Sequence, residues 1–234
     1  MLPDLPPFLG LAFGLTTALA VGLFYYAAHH SGRTLLVLLA WLLVQAALSM
    51  SGFYTVATGW PPRLGLLLLP PLVLTLVLLS TTRGRRYLDG LRLDTITLVH
   101  VVRLPVELVL LGLFLHRAIP QSMTFEGHNW DILMGLSAPV MYYLVRSQRI
   151  GRTGLLLWNG LGIVLLLNIV VTAILSAPSP FQRFAFEQPN VAILYFPYAW
   201  LPAAVVPIVL LAHVAALRQL LAKTGNSALL SAGR

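Results

Sequence analysis

The chain has 234 residues, of which 58% are hydrophobic and only 9% charged, with a formal net charge of +8. Soluble globular chains carry roughly 25% charged residues, and a soluble fold of this size leaves too much surface in water to hide so apolar a composition. The composition therefore excludes a soluble globular protein and predicts an all-α integral membrane protein. It forms a single membrane domain over 1–234, with no soluble domain. With no cysteine present, disulfides, thiolate nucleophiles and cysteine-ligated metal centres are excluded as well.

In chain order, five runs lack Asp, Glu, Lys and Arg: 5–32, 34–62, 64–82, 153–182 and 188–217, each at least 19 residues long. A helix needs about 20 apolar residues to cross a hydrocarbon core. Between these runs, 95–115 is interrupted only by Arg103 and Glu107. The apolar stretch 132–145 is shorter, and Asn129, Trp130 and Asp131 supply it with a cap at headgroup level. The expected architecture is a bundle of seven transmembrane helices, at approximately 8–28, 34–52, 64–81, 94–115, 130–146, 154–176 and 191–217.

The first helix carries Gly10, Gly14, Ala18 and Gly22, a row of small residues that lets another helix backbone approach closely. The row serves packing within the bundle or a homodimer contact. Prolines lie within several helices, at 70, 71, 105, 139, 197, 202 and 207. Each removes a backbone hydrogen bond, and three in the last helix predict a bent wall beside an internal cavity. The segment from Phe125 to Leu133 also echoes that from Phe186 to Leu194, sharing Phe, Glu, Asn, Ile and Leu in register. A parallel repeat of two hairpins would produce the echo, and so would shared capping chemistry.

Basic residues set the orientation. Eleven (Arg33, Arg83, Arg85, Arg86, Arg92, Arg146, Arg149, Arg152, Arg218, Lys223 and Arg234) fall on one side of the seven-helix arrangement and three (Arg63, Arg117 and Arg183) on the other. The positive-inside rule then puts the N-terminus outside and the C-terminus in the cytoplasm. A bacterial-type cytoplasmic (inner) membrane is the expected location. The surplus charge is explained by topology and by contact with the lipid bilayer. Arg83, Arg85 and Arg86 form only a short loop cluster, so no nucleic-acid partner is expected.

Ionisable groups inside a membrane are expensive and point to function. His100, Arg103 and Glu107 share one face of the fourth helix, with Arg103 and Glu107 spaced as an i, i+4 ion pair. Counting inward from the helix ends sets Asn159 and His213 at the level of His100, and Asn168 at the level of the charged pair. These six residues form the predicted ligand-binding centre, with a structural staple as the competing reading. No catalytic residue is assigned. The outer loop offers His116, Glu126, His128 and Asp131, whose chemistry suits a divalent metal but whose spacing matches no established site. His100 and His213 could in principle ligate a haem from opposite helices, although a second such pair is missing. Neither cofactor is expected. A retinal Schiff base is excluded because the last helix has no lysine, and His-Glu-x-x-His is absent.

The expected function is the binding or transport of an amphipathic small molecule or lipid in a Pro-bent cavity, with Arg103 and Glu107 reading its polar group. The alternatives are a membrane-embedded enzyme acting on a lipid or isoprenoid, and a structural subunit of a membrane complex. The enzyme would use Glu107 with His100, or the outer Glu126, His128 and Asp131.

Overall fold

The computed structural model describes residues 5–56 and 62–232, with side chains described as far as 222. Lys223, as a side chain, and Arg234 thus lie outside the described residues. Among those described, every regular element is helical: α1 (Pro7–Ala27), α2 (Gly32–Met50), α3 (Gly65–Ser80), α4 (Thr82–Asp89), α5 (Leu93–Leu98), α6 (Arg103–Leu115), α7 (Ile132–Arg146), α8 (Arg152–Ser176) and α9 (Val206–Ala232). Five candidate spans are long and apolar enough to cross a membrane: 7–27, 32–50, 93–115, 152–176 and 201–222. The bent pair α3–α4 makes a sixth if it is counted as one span, and α7 is a shorter apolar helix of 15 residues.

The outer surface of these helices is hydrocarbon. Helix α8 hides only Leu155, Asn159, Gly162, Leu166, Ile169 and Ser176, and its Leu157 is 70% exposed. Helix α2 buries Leu42, Gln45 and Ser49 and turns Leu36 and Leu43 outward. Such surfaces are stable only against an apolar solvent. The core runs along the inner faces of α1, α5, α6 and α9, through Phe13, Phe24, Ile96, Leu110 and Ile208.

Helix α1 buries the face bearing Leu9, Phe13, Ala20, Phe24 and Ala27. Ala18 and Gly22 are exposed, and a Cβ added at Gly14 would meet nothing within 4 Å. Of the row, only Gly10 meets the rest of the bundle, against Pro197 and Tyr198.

Helices α3 and α4 meet at 95°. Thr81 caps the turn by accepting from the Gly84 amide at 3.1 Å. Gly84 is required there, since a Cβ would lie 2.8 Å from the Leu78 carbonyl carbon. The arginines of α4 face outward while Leu88 is fully buried.

Two expectations need correction. The last span begins at residue 201 rather than 191, because residues 191–200 form a short 3-10 helix (Ala192–Leu194) and turns. Proline supplies the reason: Pro197 and Pro202 withhold the amides that a continuous helix needs, and regular structure starts with a π-helical turn, Leu201–Val205. Pro207 in turn leaves the Ala203 carbonyl without its i+4 donor, and the Trp41 indole of α2 donates to that oxygen at 2.8 Å. The second correction concerns α7, whose cap is buried inside the bundle and not exposed at its rim. Its Asp131 cap is 6% exposed and meets Arg103, the eleventh of 23 residues in span 93–115. The connection from α6 to α7 accordingly folds inward, burying Met123, Thr124 and Asn129. Irregular backbone is tolerated at such depth only where protein encloses it. Here the Thr124 carbonyl accepts from the Gly127 and Asn129 amides, at 2.9 and 3.2 Å.

Candidate functional site

Arg103 opens α6 immediately after a 3-10 turn, Val99–Val102, that precedes Pro105. Its guanidinium is the hub of a polar centre between α6, α7, α8 and α9. Nη1 donates to Asp131 Oδ1 at 2.8 Å, and both Nη groups lie 3.4 Å from the Gly162 carbonyl. Nη2 donates to His213 Nε2 at 3.0 Å. Because a guanidinium only donates, Nε2 must accept, so the His213 proton resides on Nδ1. That Nδ1–H donates to Asn159 Oδ1 at 2.9 Å, and Asn159 Nδ2 donates to the Leu155 carbonyl at 2.9 Å.

Glycines make the approach possible. A Cβ on Gly162 would sit 2.6 Å from His213 Nε2, and one on Gly135 would sit 2.7 Å from the Leu104 amide. The first keeps α8 against His213, and the second lets α7 reach α6 so that Asp131 meets the guanidinium.

The expected Arg103–Glu107 ion pair is therefore corrected: the carboxylate in contact with Arg103 is Asp131. Glu107 instead accepts from Asn129 Nδ2, which also donates to the Met123 carbonyl at 3.1 Å. His100 is fully buried, stacked on His213 with ring centroids 3.9 Å apart and met edge-on by Trp158 at 5.2 Å. Four atoms of this centre are buried with no hydrogen-bond partner: both ring nitrogens of His100, Arg103 Nε and Glu107 Oε2.

Of the six predicted residues, five assemble here: His100, Arg103, Glu107, Asn159 and His213. Asn168 does not; it is exposed on α8 and donates to the His128 carbonyl at 2.9 Å, tethering the inward-folded connection. The two histidines lie ring against ring, with no room for a macrocycle between them. The outer candidates are dispersed, since His116 bonds the Gly112 carbonyl, Glu126 and His128 are exposed, and Asp131 turns inward. Among the described residues no three metal-ligating side chains converge.

Among the described residues, the two clefts of note lie apart from this centre. One of about 160 Å³ is lined by Trp41, Pro70, Pro71, Thr75 and Pro207, with the Thr75 hydroxyl and the Trp41 indole N–H its polar side-chain groups. Another, of about 350 Å³, lies along α1. The Pro-lined space thus exists, but Arg103 and Glu107 are not on its walls.

Sequence reasoning missed the inward roles of Asn129 and Asp131, the glycine contacts and Trp158. The echo was a usable signal: its matched asparagines, Asn129 and Asn190, are 1% and 0% exposed, each donating to a backbone carbonyl.

No curated protein and no solved structure matches the chain. A family model described as "Domain of unknown function (DUF8737)" matches residues 61–221, a stretch that includes every residue of the polar centre. The chain belongs to this family, DUF8737.

Proposed function

We propose that the protein is a multi-pass membrane protein that binds or transports an amphipathic small molecule or lipid, and that the Arg103 centre reads the ligand's polar group. The observation that carries this reading is the unused hydrogen-bonding capacity at His100, Arg103 Nε and Glu107 Oε2, buried among apolar helices. A staple that only fixed helix positions would satisfy its own atoms, because each buried unpaired polar group costs about 1–3 kcal/mol. The inward-folded connection beside the centre adds support, since irregular backbone at membrane depth is a feature of binding sites in transporters.

The proposed insertion has the N-terminus outside and the C-terminus in the cytoplasm, in a bacterial-type inner membrane, with the inward-folded connection and α7 together making the seventh passage. Contacts at the two ends of the bundle support this. The Arg92 amide bonds the Ala27 carbonyl at the C-terminal end of α1, Arg218 pairs with Asp89, and Arg152 Nε donates to the Leu220 carbonyl. These arginines gather with the exposed α4 cluster at one end. Leu9 and Gly112 meet toward the opposite end, where Arg117 follows α6.

Native mass spectrometry of protein purified in mild detergent tests the ligand reading. Wild type should carry a co-purifying small molecule that the charge-neutral double variant Arg103→Gln/Asp131→Asn loses while remaining folded. Retention of the same molecule by the double variant overturns the reading.

A further inference from the structure

A second site lies on α1, away from the polar centre. Gly10 and Gly14 floor a groove of about 350 Å³ walled by Leu11, Leu15, Phe196 and Trp200. Its one distinctive polar group is Tyr198. That side chain is 4% exposed, and its hydroxyl would lie 3.9 Å from a Cβ at Gly10. The phenol ring packs on Phe13 with centroids 5.6 Å apart, and the hydroxyl is not sealed in the core but opens onto the groove that Tyr198 lines. The Trp200 indole, by contrast, is already committed to the Leu42 carbonyl at 3.0 Å. A hydroxyl that faces an apolar groove is unfavourable there unless something outside the chain accepts from it.

We infer that this groove binds one acyl chain of a diacyl lipid, with the Tyr198 hydroxyl donating to the lipid's ester carbonyl. Length and depth both select this occupant. From Pro7 to Leu15 the helix rises about 12 Å, close to the about 15 Å of one leaflet's hydrocarbon, half of the about 30 Å core. Under the proposed insertion, on which this depth rests, Pro7 lies near the membrane boundary and Gly10 roughly 5 Å inward of it, which sets the hydroxyl at the level of ester carbonyls. A groove of this volume falls in the range of small-molecule sites, about 300–1,000 Å³, which are mostly apolar with few orienting polar groups. Among the described residues no charged side chain lines the groove, so these walls favour the ester over the headgroup.

The test offers purified protein equal amounts of ester-linked and ether-linked phosphatidylcholine with matched chains, read by native mass spectrometry. Wild type should retain the ester lipid about fivefold over the ether lipid, the ratio given by one net hydrogen bond. Tyr198→Phe should retain both equally. Gly14→Phe, which places a ring where an added Cβ meets nothing within 4 Å, should retain neither above the level of loosely attached lipid. Equal retention by wild type, an undiminished preference in Tyr198→Phe, or wild-type retention by Gly14→Phe would each overturn the inference. So would a lipid-free dimer that Gly14→Phe converts to monomer, since a second copy would then fill the groove.

Discussion

His100→Leu separates a staple from a site. His100 is fully buried and neither ring nitrogen has a partner, so in the ligand-free protein the imidazole contributes only its shape and its stack on His213. Leucine is close in size and removes both nitrogens. Relieving a buried unsatisfied polar group returns about 1–3 kcal/mol, whereas losing an aromatic-type stack costs about 0.5–1.5 kcal/mol. The net expectation is a stabilisation of about 1 kcal/mol, which for a domain of this length raises Tm by roughly 2–4 °C. Thermal unfolding of delipidated, ligand-free protein in detergent measures it. Ligand retention, measured in parallel, should fall steeply if the proposed contact exists, because the two unpaired nitrogens are gone. A loss of stability of 1 kcal/mol or more in the ligand-free variant would refute the reasoning, since the nitrogens would then be serving the fold. Unchanged retention in a stabilised variant would remove His100 from the ligand's contacts.

Arg103→Gln alone should destabilise by about 3–5 kcal/mol, because Asp131 is left as a buried uncompensated charge. Adding Asp131→Asn should recover most of that loss, and a double-mutant cycle on unfolding in detergent reads the coupling. Gly162→Ala forces its Cβ against His213 Nε2, at 2.6 Å without movement, and should cost about 1–3 kcal/mol as overpacking; a structure of the variant should show His213 displaced from Arg103. Trp41→Phe keeps the ring but withdraws the indole N–H from the Ala203 carbonyl, leaving that oxygen unpaired at a cost of about 1–3 kcal/mol. Trp41→Phe should lower Tm, whereas a size-matched change at the exposed Trp130 (59% exposed) should not.

Much of the fold was legible because the signals are local and repeated. Charge-free runs located the elements, and α1, α2, α8 and the span 93–115 lie within about two residues of the expected bounds, the scatter normal for helix ends. The last span failed for a physical reason. Apolar composition continues through 191–200, but Pro197 and Pro202 interrupt the amide supply, and composition does not count amides. The bend between α3 and α4 was also invisible, because it depends on Gly84 lying against the Leu78 backbone, a contact with no signature beyond one glycine.

The polar centre was half legible, and the division follows from what periodicity can see. His100, Arg103 and Glu107 share a helical face, so their common direction follows from spacing alone. Which carboxylate meets Arg103 is a different matter, because it depends on where a second element stops. The assumption that α7 spans the whole membrane put Asp131 at its outer end and left Glu107 as the natural partner. In the structure α7 starts at the depth of Arg103, and the close approach at Gly135 delivers Asp131 to the guanidinium. One displaced terminus therefore reassigns the ion pair, frees Glu107 for Asn129 and leaves its Oε2 without a partner. The short apolar run 132–145 and the polar triplet before it were the trace of that displacement. A helix too short to cross, capped by residues too polar for lipid, is explained when its cap points into the protein, where an arginine waits for it.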